Sequence, residues 1–198
     1  KLYIKRMDYN KRYFLQGDIE DFNKYANKID DEIISKNFVF YKKVVEVLKK
    51  RIAQTQKYYE DILGQKFDFS NEEQLETDPD KMGYCKNDKQ LKDYWRKMLK
   101  YQAMTRLDEA IDMQDQAKSK GDTSIKIKPF DQLERETREK LLKNYNETYH
   151  RMAKLKDIEQ FTLYINSVIN VFDPHSDFMP PDDKTNFDIS MSGKLEGI

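Results

Sequence analysis

The residues best suited to nucleophilic chemistry are eight serines, the single cysteine Cys85, and two histidines, His150 and His175. Ser176 stands directly after His175, and sequence neighbours point in diverging directions, so the pair does not make a nucleophile and its base. No serine sits between glycines on a strand-turn-helix frame, and no glycine-rich loop offers a cradle for a phosphate or an oxyanion. A self-contained triad is not expected. The paired carboxylates Asp30-Asp31, Glu72-Glu73 and Asp182-Asp183 are neighbours on densely charged segments, where both members stay solvated and ionised instead of sharing a proton. Cys85 has no second thiol to bond and no spaced histidine pair to complete a zinc site. No cofactor or metal is expected.

The run Asp173-Pro174-His175-Ser176-Asp177 gathers several polar groups but lacks a second ligand pair at metal spacing. It reads as a structural turn. Asp173 accepts from backbone amides, Pro174 stops the preceding helix, and Ser176 and Asp177 satisfy further orphaned groups.

The elements that position these residues are helical. All six glycines and all five prolines fall between periodic segments, leaving the helix interiors clean. Asp18 reads as the N-cap of a helix to about Ser35, with Ile19, Phe22, Ala26, Ile29 and Ile33 on one stripe. Asn37 caps a second, with Phe38, Tyr41, Val45, Leu48, Ile52, Tyr59 and Ile62 inward and Gly64 at a left-handed C′ position. Residues 65–87 lose periodicity and form a long connection pinned by Phe67, Phe69, Leu75, Met82 and Tyr84. Asp88 opens a third helix to about Lys118, with Leu91, Tyr94 or Trp95, Met98, Tyr101, Met104 or Thr105, and Ile111 inward. A loop over 119–129 precedes a fourth helix capped by Asp131, and a capping box of Asp157 and Gln160 starts a fifth with Ile158, Phe161, Ile165, Val168, Ile169 and Phe172 inside.

Beyond Pro174 the texture changes. Pro180-Pro181-Asp182-Asp183 begins a short helical turn, and 188–192 alternates polar and apolar residues as a strand does. That strand needs a partner, and the sequence contains none. The expected fold is therefore all-α, an elongated bundle of about five amphipathic helices with a C-terminal extended strand completed by missing material. Its expected domains are 1–172, helical, and 173–198, a turn, short helix and strand. Lys1 is not a methionine and Gly197-Ile198 falls within apparent structure, so both ends read as cut.

Charge narrows the function. Thirty-six Lys and Arg balance 36 Asp and Glu with the signs interspersed, so neither a nucleic-acid footprint nor an acidic tail is present. An RNA-binding reading of the 13 Tyr and 11 Phe is disfavoured because no basic stripe accompanies the rings. No apolar run approaches the ~20 residues of a membrane helix.

From Phe172 through Pro181 the chain resembles the segment leading into the PDZ domain of tail-specific (C-terminal processing) proteases. Phe187, Met191 and Leu195-Glu196-Gly197-Ile198 continue the pattern, the last four being similar to that family's PDZ-entry strand. Met7-Asp8-Tyr9-Asn10-Lys11-Arg12-Tyr13-Phe14-Leu15-Gln16-Gly17-Asp18-Ile19, Asp68-Phe69 and Asp93-Tyr94-Trp95-Arg96-Lys97 resemble its helical N-terminal domain in the same order. Pro180 replaces the usual Ser, and Asp177 lies where a small polar residue is common. The resemblance implies a Ser/Lys-dyad serine endopeptidase, with the dyad beyond Ile198 and no catalytic residue in this chain. It also implies a PDZ domain downstream, substrates with apolar C-terminal tails, an adaptor protein as partner, contact with the remainder of its own protease chain, and a bacterial, periplasmic location. The reading weighed against it is a free-standing helical adaptor.

Overall fold

A computed structural model describes residues 1–192 of the chain. Its order is α1 (Leu2–Met7), α2 (Gln16–Asn23), α3 (Ile29–Ile34), α4 (Val39–Leu63), α5 (Asp88–Lys120), α6 (Phe130–Ala153), α7 (Asp157–Phe172) and α8 (Pro181–Ser192). The fold is all-α. No sheet forms among the described residues, and the one β-type contact is an isolated bridge between Leu15 and Cys85. The chain divides into two compact units: Asn10–Ala153, and Lys1–Tyr9 together with the chain from Lys154 onward.

In the larger unit α4, α5 and α6 pack on one another. The centre is aromatic. Trp95 and Tyr59 are fully buried and Tyr149 nearly so, with edge-on contacts of 4.8 Å between Tyr59 and Tyr149 and 5.6 Å between Trp95 and Tyr145. Such pairs add about 0.5–1.5 kcal/mol each beyond the area they bury. The Trp95 indole donates to the Arg12 carbonyl at 2.8 Å, so the segment before α2 is tied to the core by a hydrogen bond as well as by packing.

The long connection over 65–87 is fixed at its start. Phe67 is buried, and its N–H donates to Glu134 on α6 at 3.1 Å. Glu134 is itself fully buried, gripped by Arg138 one turn on at 2.8 and 3.0 Å, while Arg138 also donates to the Leu63 carbonyl. A buried carboxylate is tolerable only when so satisfied.

In the smaller unit α1 packs on α7. Tyr3 meets the fully buried Tyr164 edge-on at 5.1 Å. Arg6 donates to Ser167 at 3.3 Å and to Asn170 at 2.6 Å, closing the contact with polar groups.

Several expectations are corrected. The strand over 188–192 is the second half of helix α8: Pro181 takes the first helical position, Asp182 and Asp183 fill the first turn, and Lys184 pairs with Asp188. With no sheet among the described residues to receive an edge, the helix satisfies its backbone internally. The single helix over 18–35 is two, broken across residues 24–28, with Ala26 exposed. Asp18 is not an N-cap but the third residue of α2, reaching back to the Leu15 N–H at 2.8 Å. Asn37 does not cap α4; the Glu32 carboxylate, on α3, accepts from the Phe40 N–H. Gly64 is right-handed at φ −69°, whereas Gly121, at φ +64°, ends α5 in the left-handed region that glycine enters most cheaply. The α7 box pairs Lys156 with Glu159, and Gln160 stands outside it. Phe172 is 86% exposed, and Tyr101 and Met104 lie half outside the core on α5, whose inward stripe runs instead through Leu99, Ala103 and Leu107.

Candidate functional site

The turn that ends α7 is built from side chains answering backbone. The Asp173 carboxylate accepts from the His175 N–H at 2.9 Å and from the Ser176 hydroxyl at 2.5 Å, and both bonds hold its pKa below the ordinary aspartate value. Pro174 follows the last helical turn and cannot continue it. Asn170, on the last turn of α7, donates to the Ser176 carbonyl at 2.7 Å while accepting from Arg6. Asn166, one turn earlier, both accepts from the Phe178 N–H at 2.6 Å and donates to its carbonyl at 3.2 Å. Two asparagines on one face of α7 thus fix the outgoing chain from Ser176 to Phe178.

Among the described residues no imidazole hydrogen-bonds a serine; Ser176 is spent on Asp173, and His150 is exposed on α6. Among the described residues no group of three or more His, Cys, Asp or Glu side chains is placed to hold a metal ion. Leu195, Glu196, Gly197 and Ile198 lie outside the described residues.

Sequence reasoning missed the polar joints of the larger unit. Arg51, 8% exposed in the middle of α4, holds Asp18 at 2.8 and 3.0 Å and Asp88 at 3.0 Å, joining the N-terminal turns of α2 and α5. An arginine on the apolar side of an amphipathic helix was the available signal. Thr55, one turn further and fully buried, shares a 2.7 Å hydrogen bond with the Tyr149 hydroxyl. Burial pushes the Tyr59 hydroxyl pKa up to about 12 and raises that of Tyr149 as well, so both phenols stay neutral.

A second cluster organises the connection. Glu73 is bound by Arg96 and by Lys100 at 2.7 Å, and the Arg96 and Lys100 hydrogen bonds bring its pKa down to about 2. Beyond Glu73 the connection runs along α5, leaving two adjoining hollows of about 580 and 420 Å³ that share Phe69 and Met104.

Comparison with known proteins bears on all of these elements. The family described as "Tail specific protease N-terminal domain" matches residues 1–182. The chain is 26% identical over 197 residues to the "Tail-specific protease" of Haemophilus influenzae, an alignment that covers 99% of this chain and 25% of that protein. The chain therefore spans about a quarter of that relative's length.

Proposed function

The chain belongs to the tail specific protease N-terminal domain family, and on that premise we propose that it is the non-catalytic helical part of a serine endopeptidase that carries its Ser/Lys dyad downstream. The family match over residues 1–182 carries this reading. The hydrogen bonding of Ser176 and Ser167 supports it, since one answers the Asp173 carboxylate in the turn after α7 and the other the Leu163 carbonyl within that helix. The helices act as a shell that limits substrate entry and offers surface to an adaptor protein. The turn at Asp173, Pro174, His175 and Ser176 sets the direction in which the chain leaves the helical domain, 1–172, for the region beginning at 173. In this reading Leu195, Glu196, Gly197 and Ile198 enter a PDZ domain, which captures apolar C-terminal tails through backbone N–H groups. The protein works in the bacterial periplasm.

The test uses an unfolded protein with an apolar C-terminal tail. The full-length protein cleaves it and loses activity when the downstream serine or lysine is replaced, while the 198-residue chain leaves it intact. Cleavage by the 198-residue chain alone, blocked by a serine-directed inhibitor, overturns the reading.

A further inference from the structure

The hollows beside α5 form one groove with an apolar floor. Phe69 and Leu75 of the connection, Tyr101, Met104 and Ile111 of α5, and Phe130 at the start of α6 line it. Tyr101, Met104 and Phe130 are about half exposed. From Tyr101 to Ile111 the floor follows α5 for about 15 Å at 1.5 Å per residue. Flexible methionine and flat aromatic rings suit a surface that accepts varied apolar side chains.

Two independent features say what covers it. One wall is the segment 72–75, which belongs to no helix or strand, and among the described residues no hydrogen bond reaches its backbone N–H and C=O groups. A row of open backbone groups beside apolar pockets is the arrangement that binds an extended peptide by adding a strand. The second feature is charge. Of the ionised groups lining the groove, Glu73 is neutralised by Arg96 and Lys100, and Lys97 by Asp93, while the exposed carboxylates of Glu72 and Asp108 have no cation within ion-pair distance among the described residues.

We propose that this groove binds an extended segment of an unfolded polypeptide, with apolar residues at alternate positions and Lys or Arg flanking them. The segment pairs its backbone with 72–75, seats its apolar side chains on Tyr101, Met104 and Phe130, and places its cations against Glu72 and Asp108. The inference rests on the proposed function only for the source of the segment, an unfolded substrate held apart from the downstream catalytic site.

Fluorescence anisotropy tests it directly with a labelled ten-residue peptide carrying Leu or Val at alternate positions and Lys at both ends. It should saturate both the 198-residue chain and the full-length protein. Met104→Glu should raise Kd at least tenfold with the helical circular dichroism unchanged, Glu72→Gln with Asp108→Asn should raise it several-fold and flatten its salt dependence, and Met113→Glu, on the same helix outside the groove, should do neither. N-methylating alternate peptide amides should weaken binding in one register and spare the other. The proposal is overturned by an absence of saturable binding, by a Met104→Glu protein that binds as before, or by a Glu-ended peptide that binds equally well. Binding to the 198-residue chain that disappears in the full-length protein also overturns it, assigning the groove to the rest of the chain. None of these outcomes touches proteolysis, which the assay above measures separately.

Discussion

The Arg51 guanidinium holds the Asp18 carboxylate in a two-pronged grip, Nε to Oδ2 at 2.8 Å and Nη2 to Oδ1 at 3.0 Å. Asp18 meanwhile accepts from the Leu15 N–H. One carboxylate therefore serves the start of α2 and the middle of α4 together.

Removing the arginine strands that carboxylate in a site where the two side chains are only 10% and 15% exposed. Arg51→Ala is expected to lower unfolding free energy by about 2–4 kcal/mol, read by urea titration. Arg51→Lys should recover only part of the loss, because an ammonium does not reproduce the fork. A fully restored midpoint with lysine would show that charge alone is at work.

Glu73 makes a pH prediction. Its pKa is depressed from 4.5 to about 2 by Arg96 and Lys100, so its contribution is complete above the unfolded value and disappears as pH falls from about 4.5 through about 2. Thermal melts across that window should show a steeper loss of Tm for the native chain than for Glu73→Gln. The difference should shrink in high salt, since the pair is partly open to solvent. Identical slopes would count against the ion pair.

Thr55 and Tyr149 bridge α4 and α6 inside the core. Thr55→Val keeps the shape but removes the hydroxyl, leaving the Tyr149 phenol with Tyr13 as its other partner. A loss of about 1 kcal/mol is expected. Combining it with Tyr149→Phe should cost less than the two single changes summed, and strict additivity in that cycle would show the pair is not coupled.

Trp95 is the single tryptophan of the chain, fully buried and bonded to the Arg12 carbonyl. Its emission should be blue-shifted when folded and should move to the red in one transition as the larger unit unfolds. Trp95→Ala should cost about 3–5 kcal/mol. Red emission from the native chain would contradict a closed aromatic centre.

What the sequence disclosed follows what is local. Gly121, Pro129 and Pro174 sit at helix ends because their backbone preferences act on their own, and the end of α5, the start of α6 and the end of α7 were legible from them. Tyr59, Leu91 and Met98 were readable as core from spacing. Arg51 and Glu134 were not, because each binds a group far along the chain, Asp18 for one and the Phe67 N–H for the other, and a buried charge looks like a surface charge until that partner is known. Residues 188–192 misled because alternation over five positions fits a strand as well as one side of α8, and only the absence of a neighbouring sheet among the described residues separates the two. The groove escaped because Tyr101 and Met104 carry the same apolar signal whether they face the core or solvent.

The pairing of α1 with α7 has a consequence for biosynthesis. Arg6 and Ser167 are 161 positions apart, so at roughly 5–20 residues per second the ribosome takes on the order of 8–30 s to deliver the second after the first. Throughout that interval α1, six residues long, is too short to persist alone, and Tyr3 and Ile4 wait for α7. The residues of α1 are thus made long before the helix that holds them, and a chaperone that shields nascent chains has a long opportunity there.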